Sequence, residues 1–231
     1  MTPLINKAVD VLGSWKGPWD AEVIGITSPQ GMLAAISAAK VFAIDEAESD
    51  TTMARDLVPG YFASTTGFYL PARVCWFEYK AYAPAGDHLV WTGMRSAFLA
   101  TSDETGGIVV FMVSEVPLAP GLMILPVFGF EKEMERCPTV IEGQPFPIRL
   151  PAEDVPQLSG EKLTQGSNFF LELVEMVNMP AGIVRRDEAP TRQFRRRLAR
   201  AMGRIDFDLQ PVTHVTLDLP DLCNRTYGGA A

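Results

Sequence analysis

Two apolar segments joined by a turn constrain the fold more than any other part of the chain. RSAFLAT at 95–101 and IVVFMVSEV at 108–116 are rich in β-branched and aromatic residues, and SDETGG between them supplies aspartate and glycine for a tight connection. The pattern predicts a β-hairpin. VCWFEY at 74–79 and LMILPVF at 122–128 have the same character, and Pro126 predicts an edge, a bulge or a strand end in the second segment.

Helical patterns lie on both sides of this β-rich part. A capping residue followed by proline stands at 2–3 and again at 28–29, and each pair is a signal for a helix start. Apolar residues recur with helical spacing over 167–180 and 192–204. Since strands and helices do not alternate regularly, we expect an α+β fold: a mainly antiparallel central sheet with N-terminal and C-terminal helices packed on it.

The chain reads as a single domain covering residues 1–231. It has no low-complexity linker, and only the proline-rich segment 141–157 interrupts the pattern, which makes that segment the candidate seam. VFAI at 41–44 fits a helix or a strand equally well, whereas PVTHVTLDLP at 211–220 alternates as a strand does.

The composition favours a soluble protein of the cytoplasm. No apolar run approaches the roughly 20 residues of a membrane helix, and the start, MTPLINKAVD, lacks the basic and apolar stretches of a signal peptide. The three cysteines are far apart and odd in number, which argues against a disulfide framework. With two histidines and no CxxC pair, we expect no metal site. We also expect no cofactor, and the short apolar runs indicate no membrane contact.

The positive charge is concentrated in one segment of an acidic chain. The net charge is −8, yet residues 185–204 contain eight arginines against two acidic residues, which makes that segment +6 and the remaining chain −14. On a helix, Phe194, Leu198, Ala201 and Met202 would form an apolar stripe, with arginines on the other sides. The candidate binding residues are Arg192, Arg195, Arg196, Arg197, Arg200 and Arg204.

Three roles for the arginine-rich helix, residues 191–204, stay open at this point. It can bind the phosphates of nucleic acid, bind an acidic protein partner or a second copy of this acidic chain, or pair with the chain's own acidic segments at 45–50 and 131–136. Arginine suits phosphate and carboxylate equally. Because the overall negative charge opposes nucleic acid at long range, we expect a function in protein interaction, with nucleic-acid association as the alternative.

Catalytic motifs offer little support for an enzyme. The chain contains no GxGxxG, GxxxxGK[ST], GxSxG or HExxH. The best constellation is Asp206 and Asp208, followed by His214 and Asp218, since residues two apart on a strand share a face and two carboxylates can hold Mg²⁺. Exposed polar positions on a strand explain the same pattern more simply. The sequence leans against an enzyme without deciding the question, and a metal-dependent enzyme is the least favoured function.

The order of features resembles a loose group of uncharacterised proteins from tailed bacteriophages and prophages. The residues that carry the resemblance are Trp76-Phe77-Glu78, Val177-Asn178-Met179-Pro180, Arg195 to Arg204, and Pro211 to Leu219. It covers the last 60 residues best, and it departs from the group after Gly203, where Arg204-Ile205-Asp206 stands in place of a Gly-Lys-Pro-Pro stretch. The group has no assigned activity, so the resemblance implies only a context, a phage-derived protein in the cytoplasm of a bacterial host. Together with the absence of catalytic motifs, this leads us to expect a non-enzymatic accessory protein of a phage or prophage.

Overall fold

The computed structural model describes residues 2–17, 19, 26–44, 69–85, 88–115, 121–131, 139–140, 146–147, 160–179 and 182–218. Within these ranges the chain forms four helices and nine strands. The elements are α1 (Pro3–Gly13), α2 (Pro29–Ala38), β1 (Lys40–Ile44), β2 (Val74–Ala85), β3 (His88–Ser102), β4 (Ile108–Glu115), β5 (Leu122–Phe130), β6 (Thr139–Val140), β7 (Phe146–Pro147), α3 (Gly160–Asn178), β8 (Ile183–Glu188), α4 (Arg192–Met202) and β9 (Val212–Leu217).

The described strands form one mixed sheet in the order β6-β5-β4-β3-β2-β1-β9-β8, with β7 also pairing with β5. β1 is parallel to both of its neighbours, β2 and β9. The expectation of a mainly antiparallel sheet was therefore wrong, although the fold is α+β. The reason lies in β1, the VFAI segment: it is buried along almost its whole length, and continuous burial is typical of a central parallel strand and carries no alternation to read.

Alternation along the strands divides the core into two layers. In β2, Trp76 belongs to the apolar cluster on one face of the sheet, whereas Phe77 belongs to the cluster on the other. Helices α1, α2 and α4 supply the first cluster, and α3 supplies the second. Helices therefore cover both faces of the sheet, and α3 and α4 contribute the apolar sides that the spacing of their apolar residues indicated.

The predicted hairpin is β3 and β4, and its turn is stabilised by Asp103. The Asp103 carboxylate accepts hydrogen bonds from the Thr105 hydroxyl at 2.7 Å and from the backbone nitrogens of Thr105 and Gly107 at 2.8 and 2.9 Å. The pairing between β4 and β5 shifts register between Val110 and Phe111: these pair with Phe128 and Pro126, so Val127, next to Pro126, is the extra residue on β5. Of the three outcomes predicted for that proline, the structure therefore shows the bulge. The candidate seam at 141–157 lies outside the described residues except for 146–147, so the single domain stays a prediction.

Candidate interaction surface on the arginine-rich helix

Helix α4 begins and ends where its sequence indicates. The Thr191 side chain accepts a hydrogen bond from the backbone nitrogen of Phe194 at 3.2 Å, which caps the first turn. Gly203 ends the helix with φ of 66°, a left-handed conformation that glycine adopts without strain. Phe194 and Leu198 are fully buried, and Ala201 packs against the same cluster. The helix is therefore fixed to the protein by its apolar side, as predicted.

Four arginines of α4 face solvent: Arg192, Arg195, Arg196 and Arg200. None of them forms a hydrogen bond or an ion pair with any described residue. Arg192, Arg196 and Arg200 are spaced four residues apart, so they form one row along the outer side of the helix. Like charges at this spacing destabilise a helix by about 0.2–0.5 kcal/mol per pair. The row therefore opposes helix formation, and its presence is not explained by the stability of α4.

Two other predicted arginines have partners within the protein. The Arg197 guanidinium forms an ion pair with Asp10 of α1. The Arg204 guanidinium lies 5.0 Å from the centre of the Phe207 ring, which is the geometry of a cation–π contact. Among the six candidate residues, Arg197 and Arg204 thus already contact other side chains. With respect to the described residues, the other four guanidinium groups remain available to bind a partner.

Arg185, one of the eight arginines in the charged segment, has a structural role. Its guanidinium donates hydrogen bonds to the carbonyl oxygens of Val177, at 3.2 Å, and of Met179. These carbonyls lie at the C-terminal end of α3, where backbone acceptors lack partners within the helix and positive charge is favourable. Arg185 extends from β8, an edge strand that was not predicted from the sequence because four of its six residues are charged and almost all of them are exposed.

A shallow groove of about 300 Å³ lies between α1 and α4. The residues that line it are Asp10, Gln193, Arg196, Arg197 and Arg200. Three guanidinium groups and a side-chain amide therefore surround a single carboxylate, which already contacts Arg197. The groove has a surplus of positive charge and of hydrogen-bond donors. Asp10 was not predicted from the sequence, where it is one polar position among several on the first helix.

The third role for the arginines, pairing with the chain's own acidic segments, is tested only in part. Residues 45–50 lie outside the described ranges, as do 132–136. Within the described part of the chain, the acidic partner of α4 is Asp10, and it pairs with Arg197.

The candidate aspartates, Asp206 and Asp208, are exposed in a segment without regular structure, since β9 begins at Val212. The premise that they share one face of a strand was therefore wrong. His214 Nε2 instead lies 3.0 Å from Glu188 Oε2 on β8, and this contact lowers the pKa of Glu188 below its ordinary value. Within the described ranges, no three side chains of His, Cys, Asp or Glu are arranged to hold a metal ion.

Glu78 is a carboxylate whose burial was not predicted from the sequence. It is fully inaccessible to solvent, and burial raises the pKa of its carboxyl above the ordinary value of 4.5. Three donors offset part of that effect: the backbone nitrogen of Leu4 at 3.3 Å, the indole nitrogen of Trp76 at 3.2 Å and the Arg95 guanidinium at 3.4 Å. The Thr2 hydroxyl lies near the Glu78 carboxylate and also lowers its pKa, although the two groups are outside hydrogen-bonding geometry.

These contacts give Glu78 a role in anchoring α1. Leu4 lies in the first turn of α1, where backbone nitrogens lack partners within the helix. Thr2 occupies the capping position, but its side chain forms no capping hydrogen bond. A carboxylate from β2 therefore supplies the acceptor that the local sequence does not, and it joins the start of α1 to the sheet.

No protein-family model, no curated protein and no solved structure matches this chain. Among the described helices, none combines the length and the apolar character that spanning a bilayer requires.

Proposed function

We propose that this protein acts by binding an acidic protein partner through the outer side of α4. The single observation that supports this most is the row of Arg192, Arg196 and Arg200, which is exposed and has no partner among the described residues. A row of like charges costs stability in the free protein. A partner that supplies carboxylates removes this repulsion and gains charge-assisted hydrogen bonds.

The attachment of α4 supports a binding role as well. Phe194 and Leu198 are buried in the core and attach the helix to the protein, and the Arg197–Asp10 ion pair links it to α1. The outer arginines are thus presented on a fixed helix, and little order has to be gained by the backbone when a partner binds. Because the net charge of the whole chain is −8, a second copy of the chain also qualifies as an acidic partner.

Nucleic acid is the alternative ligand for the same row. Double-stranded DNA carries one negative charge per roughly 1.7 Å of its axis, and a net charge of −8 repels such a dense polyanion at long range. An acidic protein surface has a lower charge density than the duplex, so the acidic remainder of this chain repels it less. Local attraction to the arginine row therefore favours a protein partner.

The resemblance to phage and prophage proteins adds a proposed setting. On this proposal the protein is a non-enzymatic accessory protein in the cytoplasm of a bacterial host, so a bacterial lysate is the first place to search for the partner.

The test is affinity purification with a wild-type chain and two variants. The first variant changes Arg192, Arg196 and Arg200 to Gln. The control changes three exposed cations outside α4, Lys16, Arg73 and Arg186, to Gln, so both variants lose the same charge. We expect the wild type and the control to retain the same partner and the first variant to lose it. A partner retained equally by all three proteins would refute a binding role for the row.

A further inference from the structure

We propose that the groove between α1 and α4 is the anchor point of this interface and recognises carboxylate side chains on an acidic helix of the partner. This inference rests on the proposed function and assigns its specificity to one part of α4. Arg196 and Arg200 line the groove together with Arg197 and Gln193, whereas Arg192 and Arg195 do not. The exposed arginines are thus divided into a pair at the groove and a pair outside it.

The shape and chemistry of the groove favour a carboxylate. Arg196 and Arg200 are one helical turn apart, a separation of about 5–6 Å between Cβ atoms. Carboxylates four residues apart on a partner helix have the same repeat, so successive acidic residues can meet successive arginines. Each guanidinium can donate two parallel hydrogen bonds to a carboxylate, and the Gln193 amide adds a further donor at the same wall.

Asp10 tunes the strength of this site. Its carboxylate pairs with Arg197 and lines the same groove, so it both occupies one guanidinium and repels an incoming anion. A carboxylate of the partner must compete with Asp10 for Arg197 or be held by Arg196 and Arg200 alone. We therefore expect Asp10 to weaken binding of the partner's carboxylates.

The probe is a fluorescein-labelled peptide of about 20 residues, long enough to be helical, with glutamate at every fourth position of an alanine-rich sequence. Its control has glutamine in place of each glutamate. Binding is measured by fluorescence anisotropy to the full-length chain, with circular dichroism of every variant to verify folding. Inorganic phosphate and a DNA duplex serve as competitors.

Two double variants with the same charge separate the groove from the rest of the helix. We expect Arg196→Gln with Arg200→Gln to weaken binding of the glutamate peptide by at least roughly tenfold, the loss expected when a hydrogen bond to a charged group is removed. Arg192→Gln with Arg195→Gln should weaken it by less than about threefold, which corresponds to exposed charges that make no direct contact. The glutamine peptide should not bind.

Asp10→Asn should strengthen binding by about threefold to fivefold, the upper range for one exposed charge pair. Equal losses in the two double variants, or no gain from Asp10→Asn, would overturn the groove as the anchor while leaving the proposed function intact. Failure of the wild type to distinguish the two peptides contradicts both proposals. The unlabelled glutamate peptide serves as the reference competitor. If the duplex or phosphate displaces the labelled peptide at a lower concentration than this reference does, the site binds phosphate instead.

Discussion

A Cβ atom built on Gly13 of α1 would lie 2.6 Å from the Cβ of Ala201 in α4. Real Cβ atoms do not approach so closely, so the two helices are in contact at a point where only glycine fits. The Asp10–Arg197 ion pair lies one turn earlier on both helices. The close contact and the ion pair together set the position of α4 against α1, and with it the width of the groove between them.

Gly13→Ala should lower the free energy of unfolding, although glycine to alanine within a helix ordinarily raises it by up to about 1 kcal/mol. The added methyl group meets the Ala201 side chain and backbone, and α4 has to move. Ala201→Gly in the same chain removes the opposing methyl group but not the backbone contact, so it should cost less in the Gly13→Ala background than in the wild type. Urea unfolding of the two single variants and the double variant measures this coupling. Additive effects of the two changes would show that the helices are not in contact at these residues.

Leu198→Ala should cost roughly 2–5 kcal/mol, the range for deleting a fully buried leucine. Leu198 is inaccessible to solvent and belongs to the cluster that α4 shares with α1 and α2. The free energy of unfolding from urea titration measures the effect, with Ala199→Gly as a control for helix propensity alone. A cost below that of the control would mean that α4 is not docked by its apolar side.

The three outer arginines, unlike Leu198, should contribute nothing to the free energy of unfolding. Changing Arg192, Arg196 and Arg200 to Gln should leave the free energy of unfolding unchanged or raise it slightly at low salt, because two repulsive pairs of about 0.2–0.5 kcal/mol each are removed. Unfolding at low and high salt should show that the gain disappears on screening. If the variant unfolds, the arginines hold the acidic chain to itself, and neither interaction proposal survives.

Two carboxylates should give opposite pH dependences. Burial raises the pKa of Glu78 above 4.5, so its contribution to stability is full below pH 4.5 and is lost as pH rises through the raised value. The Thr105 hydroxyl, followed by backbone donors, lowers the pKa of Asp103 below 3.8, so its contribution is present above pH 3.8 and is lost as pH falls through the lowered value.

Glu78→Gln and Asp103→Asn isolate these contributions. The difference in unfolding free energy between wild type and Glu78→Gln should decrease as pH rises above 4.5. The difference between wild type and Asp103→Asn should decrease as pH falls below 3.8. Urea titrations across this pH range measure both differences. The same sign of slope in the two variants would contradict the assigned environments.

Local chemistry made part of the fold predictable. The turn residues around Asp103 indicated the hairpin, and Pro126 indicated a break in regular pairing, because both act within a few residues of the chain. Thr191 and Gly203 set the ends of α4 for the same reason. The parallel pairing of β1 could not be predicted, since its neighbours β2 and β9 come from distant parts of the sequence and burial leaves no alternation to read.

The site was predictable only as a set of charges. Spacing placed the arginines around an apolar stripe, but it did not show which of them already had partners. Asp10 and Arg197 are separated by 187 residues, and the hydrogen bond between Glu78 and Leu4 spans 74. Contacts of this kind depend on how helices and strands pack together, so the groove and the buried carboxylate emerge only from the folded chain.

Whether α4 binds an acidic protein is tested most directly by the affinity of the purified chain for its captured partner, measured with the wild type and with the Arg192, Arg196 and Arg200 to Gln variant. We expect a shallow dependence of the affinity on salt, no competition by duplex DNA, and loss of binding in the variant while its unfolding free energy is unchanged. Steep weakening, on the order of a thousandfold between about 50 and 200 mM salt, together with displacement by DNA, would contradict this expectation and identify nucleic acid as the ligand of α4.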